Sequence, residues 1–334
     1  MSLEQDIEPR LVECLSRNAF IVIGRAGMDF YPDPPGTRNE DAQQFVAHLG
    51  GSSANISVAI AKHGGKASLL TCVSDDSVGR FCLNQLAHYG VDSTYVRSIA
   101  GEFRNSLAVS ESRVEEHQTV IYRNGAADFQ MNDDDVKAVD YSRFGALITT
   151  GTVLAAEPSR SAAFEAFELA RSSGLALIFD VDYRPYSWAS AEEAADVYSR
   201  AGALCDIIVG NDVEFGFMAG DYDKGLDKAR ELAANGAGIV IYKMGEKGAI
   251  TLTRNEEIHT GIYPAQALKP TGAGDSFMGG LVASLAANYG VKESVLRGSA
   301  CASMVVSRVG CAPAMPTKEE LESFLAEHPG PTTQ

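Results

Sequence analysis

The chain has 334 residues, of which 45% are hydrophobic and 22% charged, and its formal net charge is −16 at pH 7. This composition is typical of a globular protein with a large core, and the negative charge, unbroken by any Lys/Arg cluster, argues against nucleic acid or an anionic membrane as a partner. The chain has no apolar run of membrane-spanning length, no signal peptide pattern and no C-x-x-C pair among its six cysteines, so we expect a reduced, cytoplasmic protein.

Compact apolar runs alternate with helical patterns along most of the chain. In chain order, the apolar runs lie at residues 19–24, 67–74, 146–151, 175–184, 206–211 and 238–245, and the helical patterns at 52–65, 78–90, 159–174, 190–202 and 221–236. Strands rich in Ile and Val that alternate with helices predict βαβ units and a buried, mostly parallel sheet. The sequence therefore predicts an α/β protein.

Two stretches break this alternation. Residues 28–46 are proline-rich and are predicted to be irregular, whereas residues 103–123 are predicted to form two strands joined by a charged turn. We interpret both as parts of a small β-lid inserted at the sheet's edge, within a single domain that spans residues 1–334. Because ligands of open α/β sheets bind beyond the carboxyl ends of the strands, such a lid would cover the ligand.

Short polar motifs fall at the ends of the predicted strands. They are GRAGMDF with Arg25 and Asp29, GGSSAN with Gly50, Gly51 and Asn55, DVDYR with Asp182 and Arg184, GNDVEF with Asn211 and Glu214, KMGEKG with Lys243, Gly245 and Gly248, and GAGDSF with Gly272, Ala273, Gly274 and Asp275. Turn chemistry alone explains any one of them. Their recurrence at consecutive strand ends favours a ligand site, although the glycine spacing matches neither the P-loop nor the dinucleotide fingerprint.

In order and spacing, these motifs resemble those of the ribokinase-like (PfkB) carbohydrate kinase family over nearly the whole chain. GGSSAN is similar to the N-terminal signature of the family and GAGDSF to its C-terminal signature, while NDVEF and KMGEKG resemble its N-x-x-E element and the turn that borders the nucleotide. The resemblance implies a three-layer α/β/α core and ATP-dependent phosphorylation of an alcohol.

The resemblance also implies roles for the residues of the site. Asp275 would take the proton from the substrate hydroxyl, and the backbone N–H groups of residues 272–274 would stabilise the transferring phosphoryl group. The alternative for Asp275 is that it only caps its helix. Glu214 and Asn211 would organise Mg²⁺ and its waters, unless Glu214 only occupies the first turn of the next helix.

Further residues are expected to contact the nucleotide or to replace a cation. The expected ATP contacts are Asn211, Lys243, Gly245, Gly248, Thr271 and Ser303. Most relatives have an aspartate three residues before the Gly-Ala-Gly turn, where it helps to hold an activating monovalent cation, whereas this chain has Lys269. We hypothesise that the Lys269 ammonium group replaces bound K⁺, so that no monovalent cation is required. The alternative is a solvent-facing lysine beside a lost cation site.

The Lys-Pro variant of this turn, together with GRAGMDFY, YRNGAAD, DVDYRPYSW and GCAPAMPT, is similar to one branch of the family. That branch phosphorylates the C6 hydroxyl of 5-dehydro-2-deoxy-D-gluconate in inositol catabolism. Since this substrate carries a carboxylate, we expect an arginine at one end of the pocket. Arg184 is our first choice, Arg104 or Arg123 from the lid the second, and Arg25 the third.

Other parts of the pocket would bind the sugar. Asp29 and Asn55 would hydrogen-bond its hydroxyls, and Gly50 and Gly51 would let the backbone approach it closely. The nearest alternative function is a 2-keto-3-deoxygluconate kinase or fructokinase of the same family, and a distant one is a non-catalytic sugar- or nucleotide-binding protein. By analogy, the exposed lid strands would pair between two subunits of a homodimer.

Overall fold

Strands and helices alternate through most of the structure, a computed structural model that describes residues 3, 6–328 and 330–331. The strands are β1 (Ala19–Ile23), β2 (Gly27–Pro32), β3 (Phe45–Gly50), β4 (Lys66–Ser74), β5 (Val96–Ile99), β6 (Leu107–Ser110), β7 (Thr119–Tyr122), β8 (Ala146–Thr150), β9 (Ala176–Asp180), β10 (Ile207–Asn211), β11 (Ile239–Lys243), β12 (Ala249–Thr253) and β13 (Glu257–Thr260). The helices are α1 (Pro9–Ser16), α2 (Ser52–Lys62), α3 (Ser77–His88), α4 (Asp133–Lys137), α5 (Ser159–Ser172), α6 (Ala191–Ala203), α7 (Asp212–Ala219), α8 (Gly225–Ala234), α9 (Ala273–Ala286), α10 (Val291–Val306) and α11 (Lys318–Glu327). In the described part of the chain, none of the helices has the length and apolar character needed to cross a membrane.

The main sheet has nine strands in the order β13-β12-β11-β10-β9-β8-β1-β4-β5. Neighbouring strands from β11 to β5 pair in parallel, while β12 and β13 pair antiparallel at one end. In β1, Phe20 and Val22 join the core on one face, whereas Ile21 and Ile23 join the core on the other. Because side chains alternate between the two faces of a strand, a strand that is apolar throughout must be covered on both sides.

Helices supply these two covering layers. The core on one face includes side chains of α1, α2, α3, α9 and α10, and the core on the opposite face includes side chains of α4, α5, α6, α7 and α8. Each fully buried aliphatic side chain in these layers contributes roughly 1.5–3 kcal/mol to the free energy of unfolding. The predicted three-layer α/β/α core with a mostly parallel sheet is confirmed.

A second, four-stranded sheet, which we call the lid, has the strand order β3-β2-β6-β7. Strand β2 pairs antiparallel with β3 and parallel with β6, and β6 pairs antiparallel with β7. The prediction that residues 28–46 are irregular is wrong at both ends, which belong to β2 and β3. The prediction treated the prolines as evidence against strands. Pro32 is the last residue of β2, and Pro34 and Pro35 lie in the connection between β2 and β3, where a missing N–H breaks no strand pairing.

Candidate active site

A cleft of about 920 Å³ lies beyond the carboxyl ends of the central strands. Asp180, Asn211 and Lys243, the last residues of β9, β10 and β11, line it. The lid contributes Asp29, Tyr31, Ala108, Ser110, Thr119 and Ile121. The cleft therefore occupies the position in which open α/β sheets bind their ligands.

The Gly-Ala-Gly turn forms one wall of this cleft. Gly272 has φ +85°, a left-handed conformation that favours glycine, and α9 begins at the next residue. No side chain caps this helix, and within the described residues no backbone carbonyl accepts a hydrogen bond from the N–H groups of residues 272–274. Free N–H groups at the positive end of a helix attract an anion such as phosphate.

Asp275 lies in the first turn of α9 and lines the cleft without capping its helix. Its Oδ2 accepts a hydrogen bond of 2.8 Å from Nδ2 of Asn55. Burial raises the pKa of Asp275 to about 7, and the charge of Asp182 adds to this effect, while the Asn55 hydrogen bond and the charges of Arg184 and Arg25 oppose it. A pKa near the working pH suits a general base.

Asn55, predicted to hydrogen-bond a sugar hydroxyl, also contacts Asp275. Its amide nitrogen is committed to Asp275, and its Oδ1 is buried without a hydrogen-bond partner in the described part of the chain. Because a buried acceptor without a donor is unfavourable, Oδ1 is a ready site for a donor hydroxyl. Asn55 therefore positions Asp275 through its amide nitrogen, and its Oδ1 remains available to a ligand.

The apolar run predicted at residues 175–184 leaves the sheet after Asp180, and the next residues form a charged corner. Asp182 has φ +37°, a strained conformation for a residue with a side chain. Its carboxylate pairs with Nη2 of Arg184 at 2.7 Å and accepts a hydrogen bond from the Ser52 hydroxyl. Burial acts to raise the pKa of Asp182, but Arg184, the Ser52 hydrogen bond and the charges of Arg25 and Arg123 together outweigh it, and the pKa lies below its usual value. Arg184 thus lines the cleft with its charge already paired.

Arg104 and Arg123, the second choices for the substrate carboxylate, do not line the cleft. The Arg104 side chain is 63% exposed and donates to the backbone carbonyls of Gly101 and Phe103. Arg123 is buried in an ion pair with Asp128, so its charge stabilises the fold locally. Sequence spacing could not reveal the whole environment of either arginine, because Arg104 also lies 3.8 Å from Asp76 and Arg123 also donates to the carbonyl of Thr152, both distant in the chain.

Glu214 lines the cleft at the start of α7, where it and Asn211 form a capping box. Glu214 Oε2 accepts from the backbone N–H of Asn211 at 2.7 Å, and Oε1 accepts from that of Tyr183 at 3.3 Å. Burial raises the pKa of Glu214, and the charge of Lys243 opposes this effect. Among the described residues, no group of three or more His, Cys, Asp or Glu side chains could hold a metal ion by itself.

Lys269 is fully buried beneath the cleft, at 0% exposure, which contradicts the alternative of a solvent-facing lysine. Its ammonium group donates to the backbone carbonyl of Thr271, next to the Gly-Ala-Gly turn. Burial lowers the pKa of Lys269, and the charges of Cys311, Asp275 and Asp29 act in the opposite direction. The lysine is therefore a fixed group of the site.

The two glycines of GGSSAN have different functions. Gly51 lines the cleft, whereas Gly50 does not. A Cβ on Gly50 would lie 2.0 Å from Oδ1 of Asp29, so Gly50 makes room for that carboxylate instead of approaching the sugar. Burial raises the pKa of Asp29 to about 6, against the charges of Arg25 and Lys269.

The residues expected to contact the nucleotide also line the cleft. They are Asn211, Lys243, Gly245, Gly248, Thr271 and Ser303. The Lys243 ammonium group lies 3.8 Å from where a Cβ of Gly274 would be, and so borders the free N–H groups of the turn. The Ser303 hydroxyl donates to the carbonyl of Tyr263 at 2.6 Å.

Comparison with known proteins agrees with this geometry. The family model for pfkB family carbohydrate kinases matches residues 18–318. The chain belongs to this family, and it is therefore a carbohydrate kinase.

Its relatives include several enzymes named 5-dehydro-2-deoxygluconokinase. The one from Photobacterium profundum is 37% identical over 311 residues, which cover 91% of this chain and 94% of that protein. The one from Geobacillus kaustophilus is 34% identical over 314 residues, which cover 92% of this chain and 94% of that protein.

Solved structures of the same fold come from other sugar kinases. Aminoimidazole riboside kinase from Salmonella enterica, solved with aminoimidazole riboside and an ATP analog, has a TM-score of 0.78 at 26% identity and covers 92% of this chain and 99% of its own. A fructokinase double mutant from Vibrio cholerae, solved with fructose, ADP and potassium ion, has a TM-score of 0.81 at 25% identity and covers 92% of this chain and 98% of its own.

Proposed function

We propose that the protein transfers the γ-phosphoryl group of ATP to the C6 hydroxyl of 5-dehydro-2-deoxy-D-gluconate, the reaction used in inositol catabolism. One observation carries the chemistry: the half-buried carboxylate of Asp275 lies in the same helical turn as the free N–H groups of residues 272–274. The substrate assignment is supported by the relatives named 5-dehydro-2-deoxygluconokinase, which match more than nine-tenths of the chain.

The arrangement supports an in-line phosphoryl transfer. Asp275 accepts the proton of the C6 hydroxyl as the hydroxyl oxygen attacks the γ-phosphorus. At the same time, the bond between that phosphorus and the ADP oxygen breaks. The N–H groups of residues 272–274 and the ammonium group of Lys243 stabilise the negative charge of the transferring group. Asn55 holds the Asp275 carboxylate in place through its 2.8 Å hydrogen bond.

The oxygen donors at one side of the cleft fit a magnesium ion that is held through water. Glu214 and Asn211 supply hard oxygen atoms, and both Glu214 oxygens are already anchored by backbone N–H groups. Because the described residues contain no cluster of three metal ligands, Glu214 and Asn211 would hold Mg²⁺ through water, and its direct protein ligands would be replaced by phosphates of the nucleotide. When bound, Mg²⁺ neutralises charge on these phosphates.

We further propose that Lys269 makes a monovalent cation unnecessary. A backbone carbonyl oxygen, here that of Thr271, is the kind of ligand a monovalent cation would take, and the buried ammonium group already occupies it. The fructokinase from Vibrio cholerae, by contrast, was solved with potassium ion. Equal initial rates in potassium, sodium and choline chloride are the expected result.

The lid also supports the proposal of a homodimer. Ala108, Ser110, Thr119 and Ile121 line the cleft, so the alternate residues Val120 and Tyr122 of the edge strand β7 face away from it and are exposed. An edge strand with exposed apolar side chains is a ready pairing surface. Light scattering should give a dimer for the wild type and a monomer for Tyr122→Glu.

A panel of sugars and sugar acids with ATP tests the proposed reaction. The expected result is that 5-dehydro-2-deoxy-D-gluconate has the highest kcat/KM, with ADP and phosphorylated acid formed in equal amounts. A higher kcat/KM for fructose would favour a fructokinase, and a higher value for 2-keto-3-deoxygluconate would favour that kinase instead.

A further inference from the structure

Arg25 is a buried cation in the cleft with unused hydrogen-bonding capacity. It lies two residues after the end of β1, lines the cleft and is only 7% exposed. Its Nη1 donates to the Ser106 hydroxyl at 3.2 Å, whereas its Nε is buried without a partner among the described residues. The arginine also has no carboxylate within 4.0 Å in the described part of the chain, although buried charges are normally paired.

The other cations that line the cleft are committed elsewhere. Arg184 is paired with Asp182 at 2.7 Å. Lys269 is fully buried and donates to the carbonyl of Thr271. Lys243 borders Gly274, at the end of the cleft that faces the phosphates.

Arg25 is also placed at the sugar end of the cleft. Its carbonyl accepts a hydrogen bond from the backbone N–H of Ala54, the residue before Asn55. Its partner Ser106 comes just before the lid strand β6, so the guanidinium group bridges the core and the lid. The charge of Arg25 reaches Asp29 and Asp275, since it lowers the pKa of both.

We propose that Arg25 binds the carboxylate of the sugar-acid substrate and so determines the preference for acids over neutral sugars, an assignment that rests on the proposed function. The planar guanidinium group matches a carboxylate in two parallel, charge-assisted hydrogen bonds. Ser106 fixes the orientation of the group and leaves Nη2 for the ligand. The acid brings a carboxylate into direct contact with the guanidinium group, which among the described residues has only the more distant charges of Asp29, Asp182 and Asp275 around it, whereas a neutral sugar does not make this contact.

The test compares the substrate with its uncharged carboxamide. In Arg25→Met, we expect the ratio of kcat/KM for the acid to kcat/KM for the carboxamide to fall about 10²-fold, because one partner of a buried charge pair is lost. The loss of Arg25 should also raise the pKa of Asp275, but this change lowers both rates alike and cancels in the ratio. The KM for ATP should not change. Arg80→Met, which removes an exposed arginine of α3, is the control for the loss of one positive charge and should match the wild type.

Arg184→Met separates the two candidate arginines. Since Arg184 holds Asp182, its loss should lower the rates with acid and carboxamide alike and leave their ratio unchanged. Should Arg25→Met unfold, Arg25→Lys keeps the charge without the planar fork, and it should lower the acid-to-carboxamide ratio at least tenfold.

Three outcomes would overturn the assignment. The first is an unchanged acid-to-carboxamide ratio in folded Arg25→Met or Arg25→Lys. The second is a fall of the acid-to-carboxamide ratio in Arg184→Met but not in the Arg25 variants. In either case a wild type that phosphorylates the acid keeps the proposed function intact. The third is a wild type that phosphorylates neutral sugars and no sugar acid, which would reject the proposed substrate together with the role of Arg25.

Discussion

The hydrogen bond from Asn55 to Asp275 sets the pH at which the base works, and replacing Asn55 by alanine should shift that pH. The 2.8 Å bond is one of the interactions that oppose burial and hold the pKa of Asp275 at about 7. A hydrogen bond to a charged group contributes roughly 1.5–3 kcal/mol. Since one pKa unit corresponds to about 1.36 kcal/mol, Asn55→Ala should raise the pKa of Asp275 by about 1–2 units.

The assay is the pH dependence of kcat/KM for the sugar acid at saturating ATP. Asp275 is active as the carboxylate, so activity falls as the pH drops below its pKa. We expect the acid side of the wild-type profile to have its midpoint near pH 7, the value to which burial raises the pKa, and that of Asn55→Ala to lie about 1–2 units higher. Asp29→Asn is the control: it removes another carboxylate of the cleft, whose pKa burial raises to about 6, and it should leave the midpoint of the profile near pH 7. An Asn55→Ala profile lowered equally at every pH, with its midpoint unmoved, would refute the reasoning and make Asn55 a substrate ligand only.

Three further predictions concern the cation, the turn and the base. Lys269→Asp, which places there the aspartate that the family resemblance associates with a bound monovalent cation, should make turnover depend on K⁺ when KCl is compared with choline chloride, and a wild type already activated by K⁺ would contradict this expectation. Gly272→Ala should lower the free energy of unfolding by roughly 1–2 kcal/mol in chemical denaturation, because alanine disfavours the left-handed φ of +85° and its Cβ would lie 3.0 Å from the Cys311 sulfur; an unchanged midpoint would count against the strain. Asp275→Asn should raise the melting temperature at pH 8 and much less at pH 4. The raised pKa of Asp275 lowers the stability progressively as the pH rises from about 4 to about 7, and the full loss, roughly 4 kcal/mol for a shift from 3.8 to about 7, is reached above pH 7. Equal melting temperatures of wild type and variant at pH 8 would contradict the raised pKa.

Much of the fold could be predicted from the sequence, because buried parallel strands are apolar throughout. The runs that became β1, β8 and β10 were found within a residue or two of their ends. The lid strands β2 and β3 were harder to predict, since their sequences, GMDFYP and FVAHLG, do not alternate regularly between polar and apolar residues and a proline-rich connection joins them. The proline-rich composition suggested an irregular segment, whereas these strands form because they pair with segments distant in the chain, which local sequence does not show.

The catalytic turn could be predicted as well, whereas the partners of charged side chains could not. Residues 272–275 have a distinctive local pattern, and the structure brings them to the cleft. Arg184 had the favoured position in sequence, but its pairing with Asp182 depends on a left-handed backbone at a residue that is not glycine. Ser52 donates a hydrogen bond to Asp182 and Cys311 lies against Gly272, but neither residue type indicates from sequence alone that it belongs to the site.

The most direct test of the central claim is the rate of ADP formation with 5-dehydro-2-deoxy-D-gluconate for the wild type and for Asp275→Asn. If Asp275 is the base beside the anion-binding turn, the substitution should lower kcat by about 10²–10⁴-fold while the affinity for ATP, measured by calorimetry, is retained. An Asp275→Asn enzyme with a kcat within tenfold of the wild type would contradict the account.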